Sequence, residues 1–221
     1  MSAAANGKTA TGAPTWFTLR VPASWFEFDV WRATRTGDLA RLVDARLAAL
    51  PQLRPQRSAL LKLLREIAER AERQGAVYCA ATAELVEGSD GLVASMMVFH
   101  TDGAPNVADN TVEAIAGQVT AMAPADGRSS WRTVTIVEMQ AGRAVRIRGV
   151  ERPEPDGVPI DAVVMQTLIP VPDGRGVLNV VLSSPHVDIA EELFELFDAV
   201  SDTLAWSQDR PEQLAATDSP T

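Results

Sequence analysis

Residues 131 to 183 constrain this chain most, because four strand-like segments follow one another there with little between them. The segments are about 131–139, 143–150, 160–169 and 175–183. They are joined through Gln140-Ala141-Gly142, a Pro-rich 153–159 loop and Pro172-Asp173-Gly174. A parallel pair needs a crossover of a dozen or more residues, so strands linked this briefly run antiparallel. The meander sets aside a doubly wound parallel sheet.

The rest of the chain supplies the other layers. Phe17, Leu19 and Val21 share one face at a period of two, and Pro22-Ala23-Ser24 turns the chain. From Trp25 to Trp31, Phe26, Phe28 and Val30 fall on one side. Trp25, Glu27, Asp29 and Trp31 fall on the other. The two segments read as a β-hairpin with two tryptophans on its more polar side.

Gly37-Asp38 then opens a helix with Leu39, Leu42, Val43, Leu47 and Leu50 at helical spacing, stopped by Pro51. A second helix runs from about Arg57 to Gln74 with the stripe Leu60, Leu64, Ile67, Ala71, and Gly75 stands at its capping position. These two make a helical hairpin over 38–74.

Strands follow at 76–86 and 92–100, turning near Asp90-Gly91. The second is apolar enough to be central and covered on both faces. A helix over about Val107–Met122 precedes the meander. A last amphipathic helix over Asp188–Trp206 turns Ile189, Leu193, Leu196, Phe197, Val200 and Leu204 inward.

The expected fold is therefore α+β, an antiparallel sheet with helices packed on it in an α/β/α sandwich, in the order ββ-αα-ββ-α-ββββ-α. The expected domain is 15–206, between disordered segments at 1–14 and 207–221 whose residues are small and polar. At 221 residues and 46% hydrophobic composition, one domain with one core is sufficient.

Net charge is −9, but residues 1–75 carry +5 and residues 76–221 carry −14. So acidic a chain is not expected to bind nucleic acid, whose affinity comes from neutralised phosphates. The asymmetry suits steering towards another charged protein. No apolar run approaches the ~20 residues that cross a bilayer, and the first residues lack a secretory signal, so a cytoplasmic location is expected. The lone Cys79 lies in an apolar strand and excludes an internal disulfide.

The C-terminal half carries Gly142-Arg143-Ala144 in a strand pair, then a long strand ending Ile169-Pro170-Val171-Pro172-Asp173-Gly174-Arg175-Gly176. A strand closing on Ser183-Ser184-Pro185 then leads into a Glu- and Phe-rich helix. Together with Leu19-Arg20-Val21-Pro22-Ala23-Ser24-Trp25 near the start, this pattern resembles the PsbP/Mog superfamily. The 38–74 helical hairpin is an enlargement on that pattern. The superfamily holds non-enzymatic members: photosystem II extrinsic subunits, Ran-binding proteins, actinobacterial lipoproteins and chaperones for type VI secretion effectors. The resemblance implies a cytoplasmic protein-binding adaptor or chaperone of the kind found among the superfamily's secretion-system members. It implies no cofactor, no metal and no catalytic residue.

Residue chemistry gives few rivals to that expectation. Gly7-Lys8-Thr9 ends like a phosphate-binding loop, but Ser2 stands where its first glycine belongs and no strand precedes it. Ser183, Ser184, His186 and Asp188 offer triad residue types without a nucleophile elbow, and Asp188 reads better as a first-turn acid. His100 and Asp102 at the end of a central strand could orient a base, the alternative being a small-molecule binder or enzyme with its pocket there. A self-assembling structural subunit is a third reading. The expected partner-binding residues are Trp25 and Trp31, as aromatic anchors, with Arg146 and Arg148 pairing with the acids of the last helix or binding an acidic partner or phosphate.

Overall fold

The computed structural model describes residues 16–28, 37–49, 51–84, 92–121, 132–152 and 161–208. In chain order the elements are β1 (Trp16–Thr18), β2 (Phe26–Phe28), α1 (Asp38–Ala49), α2 (Arg57–Arg73), β3 (Tyr78–Glu84) and β4 (Leu92–Asp102). Then come α3 (Val112–Ala121), β5 (Thr133–Met139), β6 (Gly142–Glu151), β7 (Ala162–Pro170), β8 (Gly176–Ser184), α4 (Ala190–Ser201) and β9 (Ala205–Ser207). Short 3-10 turns at Pro51–Gln56, Val107–Asn110 and Val187–Ile189 lead into α2, α3 and α4. The expected α+β order is present, with one further short strand at its end.

Seven strands form one sheet in the order β2-β3-β4-β8-β7-β6-β5, and every pairing in it is antiparallel. The meander β5–β8 is its second half. The link no local pattern announces is β4 against β8, which sets Met96 opposite Leu182 and Val98 opposite Val180.

Strict alternation then sorts the apolar residues onto two buried faces. Met96, Val98, Met165, Leu178, Val180 and Leu182 meet Leu193, Phe194, Phe197 and Val200 of α4. On the other face, Cys79, Ala81 and Met97 meet Leu39, Val43, Leu47, Leu64 and Ile67 of the α1–α2 hairpin. Further along that face, Val145 and Ile147 meet Val112 and Ile115 of α3. The 38–74 hairpin is thus plain core, with Leu64 fully buried.

Local chemistry sets the ends. Gly75, at φ 73°, closes α2: its N–H donates to Glu72 O (3.1 Å) and that of Ala76 to Ala71 O (2.9 Å), the double closure of a Schellman cap. Among the described residues, no helix is long and apolar enough to cross a membrane.

Two expectations are corrected. The segments around β1 and β2 do not form a hairpin. β1 pairs with β9, Phe17 opposite Trp206, while β2 pairs with β3. The last helix also stops at Ser201 rather than Trp206, and Ser207, assigned to a disordered tail, is the strand partner of Trp16. Thr203 explains the stop. Its Oγ1 accepts from Arg20 N–H (2.9 Å), and its proton lies within reach of the Val200 (2.7 Å) and Arg20 (3.0 Å) carbonyls. That hydroxyl ends the helix and docks β1. The pairing joins residues almost the whole chain apart, where a local pattern carries no signal. Residues 1–15 and 209–221 lie outside the described residues.

Candidate functional site

Trp25 is 5% exposed and packs with Phe17, Leu19 and Tyr78 in the α4-side core. It offers no surface, and its assignment as a docking anchor is corrected. The reason is a turn that alternation does not show. Trp25 N–H donates to Pro22 O (3.0 Å), so the residue belongs to the bend before β2, not to the strand's outer side. Trp31 lies outside the described residues.

Arg146 is also corrected as a partner-binding residue. Its side chain is 4% exposed, beneath α4. Nη1 donates to Asp198 Oδ1 (2.7 Å), Nη2 to Asp202 Oδ1 (2.8 Å), and Nε reaches Thr167 Oγ1 (3.4 Å). Arg148 shares the sheet face, pairs with the other oxygen of Asp198 and lies over the Phe194 ring at 5.7 Å. Phe194, Asp198 and Asp202 recur every fourth residue, so one stripe of α4 meets both guanidiniums. The arrangement is a clamp holding helix to sheet, one of the roles expected for these arginines.

The remaining chemistry candidates are dispersed. His100 and Asp102 stand opposite Leu178 and Gly176, and no hydrogen bond joins them among the described residues. Gly176 makes room for the imidazole, because a Cβ there would lie 2.8 Å from His100 Nε2. Ser184 Oγ donates to Val93 O (2.7 Å) and His186 Nε2 accepts from Val93 N–H (3.0 Å), so both fasten the start of β4. Ser183 Oγ meets Ser95 Oγ at 3.0 Å instead of a histidine. Burial pushes the Cys79 thiol up to about 12, which keeps it protonated and unreactive. Tyr78 is raised by burial and by Glu27, whose carboxylate accepts its hydroxyl at 2.8 Å. Among the described residues, no three metal-ligating side chains converge.

A different place on the molecule combines concavity with accessible apolar surface. β5 ends the sheet, so its outer N–H and C=O groups face no strand among the described residues. Beside it runs α3, whose Val112 and Ile115 are buried and whose Ala116, Gly117, Thr120 and Ala121 look towards the edge. These small residues, with Val134, Thr135 and Ile136, line an open concavity of about 650 Å³. Ile136 is 42% exposed, an unusual state for an isoleucine in a strand.

At the inner end of this edge, Arg143 donates to Glu113 (2.6 Å) and pairs with Glu138 (3.3 Å), tying α3 to the β5–β6 hairpin. Glu113 is lowered first by its own backbone hydrogen bond and then by Arg143. Sequence reasoning identified the strand at 131–139 but not its edge position. The run Thr-Val-Thr-Ile-Val-Glu-Met, β-branched and without the lysine or proline that commonly marks an edge, identifies a strand but not its place in the sheet.

Neither a protein-family model nor a curated protein sequence matches this chain.

Proposed function

We propose that this chain is a non-enzymatic polypeptide-binding module, of adaptor or chaperone kind, that captures an extended segment by adding it to the sheet beside β5. The observation that carries the reading is the seven-residue edge, unpaired among the described residues, lying along an apolar concavity. An added strand satisfies the edge's free backbone groups, and its alternate side chains enter the space over the small residues of α3. Main-chain bonds supply affinity for any extended segment, and the concavity selects β-branched or aliphatic side chains at every second position. The resemblance to non-enzymatic secretion chaperones supports the same reading. The basic first third and acidic remainder of the chain add steering at a distance.

The test is an array of nine-residue peptides probed with the full chain and with Ile136→Lys. Bound peptides should share alternating aliphatic residues, lose binding when a central residue becomes proline, and bind the variant at least ten-fold less. An array with no bound peptides, or equal binding by the variant, overturns the proposal.

A further inference from the structure

Resting on that strand-addition reading, we infer that the edge's resting occupant is β5 of a second copy, paired antiparallel about a two-fold axis through Ile136. The register follows from the seven residues. Ile136 faces its own counterpart, Thr135 faces Val137, Val134 faces Glu138 and Thr133 faces Met139. No like charges stand opposite each other in this pairing, so it carries no cross-strand repulsion, and the central Thr135, Ile136 and Val137 are β-branched residues suited to a pleated surface. The strand's one charge, Glu138, is already held by Arg143.

The strand itself carries none of the residues that prevent such pairing: β5 has no proline, no lysine and no more than one charge over its whole length. Alternation places Val134 and Ile136 on the side covered by α3, so the two Ile136 side chains meet where the two concavities adjoin. The small α3 residues leave space for the incoming isoleucine. A contact built on one seven-residue strand falls short of the roughly 1,200–2,000 Å² of a standard stable interface. The dimer is accordingly weak, with a dissociation constant on the order of 10–100 µM. A weak self-pairing shields the edge and yields it to a better-fitting strand.

Sedimentation velocity of the full chain across this concentration range, with hydrogen exchange of residues 133–139, tests the inference. The mass should rise from 23.7 kDa towards twice that value, with β5 amide protection rising in step. Because Ile136 faces itself, Ile136→Lys and Ile136→Glu should each remain monomeric, while their equimolar mixture should dimerise at least ten-fold more tightly than either alone. Ile136 is exposed, so both variants should keep the wild-type melting temperature. A monomer throughout, dimerisation unaffected by either variant, or a mixture that stays monomeric overturns the self-pairing. If peptides still bind in those cases, strand addition stands and only the second copy falls. If the array is also empty, both fall.

Discussion

The two ends of the sheet are built differently. At one end β2 is three residues long, and the α1–α2 hairpin lies over it and β3 with a wholly apolar interior. Arg46 of α1 reaches across to the carbonyls of Ala23 (3.0 Å) and Trp25 (3.3 Å) and stacks 4.9 Å from the Phe26 ring. At the other end β5 is seven residues long, its outer edge is open among the described residues, and the small helix α3 covers one side. There the helix on the opposite face is fastened partly by ions, through Arg146, Arg148 and Asp198. Proteins blunt sheet edges by keeping them short or covering them, and among the described residues this one does so at the β2 end and not at β5. The proposed strand addition uses that longer edge.

Substitutions should separate the two ends. Leu64→Ala, in the fully buried hairpin core, should have the largest effect, about 3–5 kcal/mol of stability by denaturant unfolding, with peptide binding per folded molecule unchanged. Asp198→Ala should come next, at about 2–3 kcal/mol, because it strips both guanidiniums of a shared partner. The solvent that reaches Asp198 and Arg148 keeps the loss below that of a sealed pair. Arg146→Met should be milder than Asp198→Ala, since an apolar chain needs no counter-charge.

Gly75→Ala should cost about 1 kcal/mol. Nothing crowds the position, so the loss is purely that of a left-handed backbone. Ile136→Lys should change stability by less than about 0.5 kcal/mol yet remove strand binding, the reverse of Leu64→Ala. If Ile136→Lys unfolds the chain, or Leu64→Ala abolishes binding by the folded fraction, the contrast between the ends is broken.

At neutral pH the smallest effect is that of Cys79, whose contribution is confined to alkaline solution. The Cys79 thiol is held protonated to about 12 when folded and ionises nearer 9 when unfolded. Between those values the folded state binds more protons, so this group's contribution to stability falls as pH rises. The decline should be shallower in Cys79→Ala, and a thiol reagent at pH 8 should label wild type only on unfolding.

Much of the architecture was legible in the sequence because its causes are local. The stripe Leu60, Leu64, Ile67, Ala71 with Gly75 behind it specifies both α2 and its end. Short links in the meander leave antiparallel pairing as the only geometry the chain can reach. The pairing of Arg146 and Arg148 with the acids of α4 was readable as one of their expected roles, since charge and spacing were visible but distance was not. Trp25 misled because period-two alternation was extended back through a turn, where it no longer applies.

By itself, then, the sequence determined the elements before β9, their order and the apolar stripe of each helix, since periodicity and capping act within a few residues. Tertiary structure alone decided that β4 lies beside β8, that β1 is closed by β9, and that β5 stands at the rim with Ile136 in the open. Those outcomes depend on contacts between distant residues, whose loop-closure entropy is met only when the whole sheet assembles. An edge is defined by the strand that is not beside it, and no stretch of sequence contains that information.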